Sequence, residues 1–336
     1  LEQVIITLIK EKSAQRYASL SRQESAMVFL AEIDKSLAKE FGFFLNNVSY
    51  DEIAIAQKMR SDSLRLDDIA TNRRGVGLQQ FISTDGDIEV IGGAEIDKFG
   101  IRGIKGKIRQ EKATIPPFAF VKENSVLAQN IVAFIENPSN HIKIIACIPN
   151  KENILLLDTI NQLTIQPDYS NYYIWCLLNS TLVNWYVYRF IFAKAIRTMH
   201  FDSTVTSRIP IPKISYDAQR AFIETANAML ELNKNLRDTT RKFLRFLDAA
   251  HHPKSLSNRL ELFYDLDFSA FVAELQKQGV KLTKTEQKEF LEFFETEKAR
   301  AADLRQQIAQ ADAELDNMIY ALYGLTDDEI AIIEGA

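Results

Sequence analysis

Two stretches of this 336-residue sequence gather side chains that bind anions. One carries Arg189, Lys194, Arg197, Thr198, His200, Ser203 and Arg208, with Thr204, Thr206 and Ser207 among them, ahead of Ile209-Pro210-Ile211-Pro212. Long cations reach phosphate oxygens or guanine edges, and hydroxyl groups suit phosphate oxygens and some base edges. The same run would also serve as a polar loop closing a domain. The other, Lys98 to Lys112, holds Lys98, Arg102, Lys105, Lys107, Arg109 and Lys112 against Glu111. From Ile101 to Arg109 apolar and basic residues alternate, which predicts a strand with its cations on one face. An edge strand protected by lysines has the same pattern. Arg73 and Arg74, beside Gly75 and Gly77, form a third candidate, or a solvated turn.

No catalytic device accompanies these runs. Adenine methylation takes the base out of the stack and needs an Asn-Pro-Pro-aromatic turn to hold its amino group. Here Ile115 precedes Pro116-Pro117-Phe118, and Asn137-Pro138-Ser139 lacks the second proline and the aromatic. Gly75-Val76-Gly77 follows two arginines and opens no helical pattern, so it is not a dinucleotide loop, and no Walker-type loop occurs. Asp87 with Glu95, Asp97 and Lys98 has the wrong order and spacing for a metal-dependent nuclease. His200 and Ser203 lie close in sequence, which establishes no triad. Four histidines and two cysteines, none at ligand spacing, provide no zinc site.

Composition is that of an ordinary soluble globular chain, with 46% hydrophobic and 25% charged residues, and the length predicts two or three domains. No apolar run approaches the roughly 20 residues of a membrane helix, and Leu1 to Lys10 lacks the features of a signal peptide. Cys147 and Cys176 sit in apolar surroundings and read as buried reduced thiols, so a cytoplasmic location is expected. The first residue, Leu1, predicts a longer parent protein. The net charge of −5 hides a segregation: residues 303–336 hold eight acids against Arg305, a net of −7, which leaves +2 for the rest. Charge distribution bears on nucleic-acid binding more than the sum does.

Three regions must position these residues. Residues 1–60 open on a strand-like run and continue into a predicted helix, with a Ser21/Glu24 capping box and Met27, Leu30, Ile33, Leu37 and Phe41 at helical spacing. Residues 61–213 contain eight of the twelve glycines and short β-rich runs at 88–91, 118–121, 142–146 and 154–157, followed by a predicted helix over 170–192. Residues 214–336 carry heptads: Phe222, Met229, Leu236 and Phe243, then Phe294, Ala301, Ile308, Leu315 and Leu322. A capping box of Thr283 and Glu286 starts the second segment, and 252–282 must reverse the chain. The fold class predicted is α+β: a mixed, twisted-sheet domain followed by a long antiparallel helical hairpin.

Several patches, in order, resemble a known family. They are Arg74-Gly75-Val76, Val90-Ile91-Gly92-Gly93-Ala94-Glu95-Ile96, Leu177-Leu178-Asn179-Ser180, and Arg208-Ile209-Pro210-Ile211-Pro212 with Gln219. The last is Asp316-Asn317-Met318-Ile319-Tyr320-Ala321-Leu322-Tyr323-Gly324-Leu325-Thr326. Together they resemble the TaqI-like C-terminal specificity domain of adenine-N6 DNA methyltransferases, especially fused type IIG restriction-modification enzymes. The resemblance implies a target-recognition domain at 61–213 that contacts double-stranded DNA, and a spacer at 214–336 like that of type I specificity subunits. Residues 1–60 would close a preceding methyltransferase domain. That missing N-terminal methyltransferase or nuclease domain is the expected partner and the expected holder of S-adenosylmethionine; no catalytic residue, cofactor or metal is expected in this chain. The family has no single invariant base-reading residue, so the candidates are the cations and donors named above: Arg73, Arg74, Lys98, Arg102, Lys105, Lys107, Arg109, Arg189, Lys194, Arg197, Thr198, His200, Ser203 and Arg208. Two alternatives stand beside this: a metal-dependent nuclease fragment, and a coiled-coil assembly or specificity subunit of a multi-chain system.

Overall fold

The computed structural model describes residues 14–23, 26–134, 141–195 and 198–335. The opening apolar run, Glu24 of the predicted capping box, the Asn137-Pro138 turn and Arg197 lie outside them. Two compact units divide the chain: residues up to Ile223 together with Asp316–Ala336, and Glu224–Leu315. The boundaries expected at 60 and 213 do not mark this division, because the described residues of 14–60 fold into the first unit.

In that unit, β1 (Arg16–Gln23) and β2 (Ala26–Asp34) pair as an antiparallel hairpin. This overturns the helix predicted across 21–41; only α1 (Ser36–Phe41) is helical. Val28, Phe29 and Ile33 favour extended backbone, and Ala31 and Ile33, two apart, supply the buried face. After α2 (Tyr50–Arg60), opened by a Ser49/Glu52 capping box, come β3 (Ser63–Arg65), α3 (Leu66–Ile69) and β4 (Ala70–Arg74). The glycine-rich stretch yields β5 (Ile88–Ile91), β6 (Ile96–Asp97), β7 (Gly100–Ile101) and β8 (Gly106–Ile108). Then follow β9 (Ser125–Gln129), β10 (Ala133–Phe134), β11 (His141–Ile142), β12 (Ala146–Cys147), β13 (Leu155–Leu156) and β14 (Ile160–Ile165). The strand predicted at 118–121 is instead a 3-10 turn, Pro117–Ala119, entered through two prolines that cannot donate to a ladder. The run at 142–146 breaks between β11 and β12.

Two sheets form the framework, an antiparallel one in the order β12-β9-β14-β4 and a mixed one in the order β13-β5-β8. A cluster of Ile91, Ile96, Ile101, Leu127, Cys147, Ile154, Leu156 and Ile160 draws on both. Burying one such aliphatic side chain stabilises by about 1.5–3 kcal/mol, so the short strands are held more by this core than by their few ladder bonds. The helix predicted over 170–192 divides into α4 (Asn171–Asn179), α5 (Thr181–Tyr186) and a π-turn at Val187–Ile191. Ser180 breaks it by capping α5 through Val183 N–H. After α6 (Ser203–Thr206), β15 (Pro210–Pro212) pairs with β3.

The second unit takes most of α7 (Arg220–His251), all of α8 (Asn258–Glu261) and α9 (Phe268–Lys277), and most of α10 (Lys284–Leu322). Of the predicted seam, Phe243, Phe294 and Ala301 are buried together, with Leu247 and Phe290 beside them. The reversal at 252–282 is more than a connection, since it supplies Phe263, stacked on Phe243, and Phe271, stacked on Phe290. The last helix, α11 (Asp327–Glu334), belongs to the first unit. The architecture is thus α+β, small sheets followed by a long helical hairpin. Among the described residues no helix is long and apolar enough to cross a membrane.

Candidate nucleic-acid interface

The patches that resemble a family turn out to be joints of the scaffold. Gly92 N–H donates to the Glu95 carboxylate and Gly93 N–H to Thr159 Oγ1, at 2.8 and 2.9 Å. Asn179 brackets β12, accepting from Ala146 N–H and donating to Ala146 O. The Trp175 indole N–H donates to the carbonyls of Lys98 and Ala146. Pro210 and Pro212 offer carbonyls without N–H groups, and the hydroxyls of Tyr323 and Tyr173 donate to them. Gln219, fully buried, accepts from Ser170 N–H and donates to Asp168 O. None of these side chains is free to read a base; what they hold in place is the exposed material between them.

Three of the expected DNA contacts have partners inside the first unit. Arg189 is buried in the π-turn, where Nε donates to Glu52 Oε1 at 2.6 Å and the guanidinium lies 5.0 Å from the Trp185 ring centre. Lys194 donates to the same carboxylate at 3.2 Å. Burial pushes the Lys194 ammonium below its ordinary pKa, with Glu52 opposing the shift. Arg208 donates to the carbonyls of Phe41 and Phe190 and stacks over Phe43, and burial lowers its pKa too. These cations are used inside the unit because the Glu52 carboxylate, the Phe41 carbonyl and the Phe43 ring they meet come from 1–60, a segment with no evident chemistry of its own in the sequence.

The single strand expected at 101–109 is also corrected. Residues 102–105 form an exposed loop between β7 and β8. Arg102 pairs with Asp97 at 3.8 Å, and Lys105 is exposed. Lys107, on β8 opposite Glu89, is half-buried. Arg109 hydrogen-bonds Asp85, and that bond holds the Asp85 carboxyl below its ordinary pKa. Lys98 is half-buried, its ammonium 5.9 Å from the Phe99 ring centre. Arg73 is exposed with its guanidinium over Phe118, and Arg74, also exposed, bonds the carbonyl of Asp158.

A polar chain crosses the larger sheet. Asn161 lies opposite Arg74 on the paired strands β14 and β4, and its amide N–H donates to Asn130 Oδ1 at 2.8 Å. Asn130 Nδ2 in turn meets His200 Nδ1 at 2.8 Å. With its oxygen taken by Asn161, Asn130 presents N–H to the imidazole, so a neutral His200 carries its proton on Nε2 and keeps a donor there. His200 is exposed and bridges Ile131 through the backbone. Thr198 and Ser203 are exposed as well. Ser203 starts α6, whose first turn is capped by Asp202. Asn72 ties this segment to β4 by donating to Phe201 O and Thr206 Oγ1. Sequence reasoning missed Asn72, Asn130 and Asn161, since a lone asparagine in or beside a short strand has no distinguishing spacing.

The acids Asp87, Glu95 and Asp97 are occupied locally. Asp87 accepts from Gln110 N–H, Glu95 from Gly92 N–H and Asp97 from Phe99 N–H. Among the described residues no group of three or more His, Cys, Asp or Glu side chains could hold a metal ion.

Residues 215–319 match a family described as a domain of unknown function, DUF8810. Among solved structures, the chain is similar to the crystal structure of the HsdS subunit from Thermoanaerobacter tengcongensis, at 11% identity and a TM-score of 0.29. That comparison covers 86% of this chain and 51% of the other, so the chain spans about half the length of that subunit. No curated protein matches in sequence.

Proposed function

We propose that this chain is a non-catalytic module that recognises duplex DNA by sequence and serves a restriction-modification enzyme. The observation that carries the reading is the division of labour in the first unit. Residues of the family-like patches are joints of the scaffold, while Arg73, Arg102, Lys105, Thr198, His200 and Ser203 are exposed on the segments between them. Cations of this kind position a protein on phosphates, and His200 Nε2–H suits an acceptor on a base edge. In the finer form of the proposal the parent is a type IIG-like adenine methyltransferase whose catalytic domain supplies S-adenosylmethionine chemistry. This finer form rests on the sequence resemblance alone.

Selection of bound duplexes from a random-sequence pool at low salt, followed by sequencing, tests the module directly. An enriched short motif is the expected result. Salt-sensitive binding without enrichment would reduce the chain to a basic surface, and no binding would remove DNA from its function.

A further inference from the structure

We propose that Ile104 reads a thymine by its methyl group in the major groove, a role that rests on the duplex-reading function proposed above. Residues 102–105 are all exposed, and Ile104 keeps 39% of its surface, whereas Ile101 and Ile108 on the adjoining strands are buried. Ile101 and Ile108 thus root the loop in two core clusters. Its stem is closed by two backbone bonds of 2.8 Å, Arg102 N–H to Glu95 O and Lys105 N–H to Val90 O. Beyond the stem, a Cβ added to Gly103 would meet nothing within 4 Å. The result is a short, preorganised projection with an aliphatic tip between two cations.

An aliphatic side chain cannot hydrogen-bond, so on base edges it can recognise only an apolar group. The C5-methyl group of thymine is the one that unmodified DNA presents, and it lies in the major groove. Two passes of backbone with a cation on either side fit a groove about 12 Å wide, not one about 6 Å wide. Arg102 and Lys105 are then placed to meet phosphates flanking the contacted base. An exposed isoleucine would otherwise only add apolar surface to the loop.

The test uses the duplex selected by the full chain, with each thymine replaced in turn by deoxyuridine, which removes only the methyl group. At one position the wild type should lose about fourfold in affinity, the weight of one buried methyl group. Ile104→Ala should show no further loss there and an ordinary response elsewhere, while Ile104→Val keeps the wild-type response. Ile104 belongs to neither adjoining core cluster, so unfolding midpoints should match and confirm that the variants fold. The assignment is overturned if no thymine position responds, if the motif contains no thymine, or if Ile104→Ala still responds as wild type does. DNA bending that Ile104→Ala abolishes, without uracil sensitivity, would instead make the side chain a wedge in the minor groove. Failure to enrich any motif would defeat duplex reading itself and this role with it; a motif without a uracil effect defeats only Ile104.

Discussion

At the scale of single residues, the tightest electrostatic feature is Glu52 with Arg189 and Lys194. Ala193 and Lys194 both adopt left-handed backbone, φ 52° and 60°, a conformation uncommon for residues with a Cβ. The turn brings Lys194 round to a carboxylate that already accepts from Arg189. Burial alone would raise the Glu52 pKa. The bond from Arg189, the Lys194 charge and the Ser49 N–H outweigh it and hold the carboxyl below its ordinary value. A carboxyl depressed in the folded state stabilises fully above its unfolded pKa, about 4.3, and loses that contribution as pH falls through the folded value. Glu52→Gln should therefore unfold at lower urea concentration at pH 7, by on the order of 3 kcal/mol, because two buried cations lose their counter-charge. Below about pH 4.3 the wild type should converge on the variant. Parallel stability curves from pH 7 to pH 3 would show that Glu52 is not the group that binds the two cations.

At the scale of elements, close approach of backbones decides where glycine is required. A Cβ on Gly75 would lie 2.3 Å from Leu157 O and 2.4 Å from Leu156 O, where β4 runs out against the β13 strand end. Gly75→Ala must push two backbones apart and should cost about 1–3 kcal/mol or more in chemical unfolding. Gly103→Ala, in open space, should stay within about 0.5 kcal/mol of wild type. Equal losses would mean that the contact at Gly75 relaxes freely. The same contrast between local and distant causes explains what the sequence revealed. The long helices were legible because Phe222, Met229, Leu236 and Phe243, and again Phe294, Ala301, Ile308 and Leu315, repeat with a period that a helix alone satisfies over many turns. The hairpin at 16–34 was not, since Leu30, Ile33 and Leu37 fit helical spacing while Ala31 and Ile33 fit alternation, and packing chose the second. The inward turn of Arg189 was equally hidden, because its carboxylate partner lies 137 residues earlier. The His200 support was hidden for the same reason, with Asn130 70 residues away.

At the scale of the molecule, a net charge of −5 looks adverse to DNA binding, yet part of the acidic excess is committed to internal contacts. Asp316 accepts from both the N–H and the hydroxyl of Thr181, and Glu329 caps α11 while pairing with Lys58 at 2.7 Å. Of these two, Glu329 is neutralised by Lys58 while Asp316 keeps its charge, and at physiological ionic strength exposed charges more than about 8 Å apart are largely screened from one another. What a phosphate backbone would meet is therefore the local set of cations, among them Lys105 and Lys107 near the loop that carries Ile104. Binding should weaken linearly in log–log coordinates with salt, by about 0.9 in slope for each phosphate neutralised. Replacing Lys105 and Lys107 together by Ala should reduce the slope by roughly two and weaken all sequences alike, leaving the selected motif intact. His200→Ala should do the converse, keeping the slope and relaxing the motif at one position. Titrations of the selected duplex and a scrambled duplex across salt concentrations separate the two effects. An unchanged slope in the lysine double variant would place the phosphate contacts elsewhere on the chain. A loss confined to the selected duplex would instead make these lysines readers of bases.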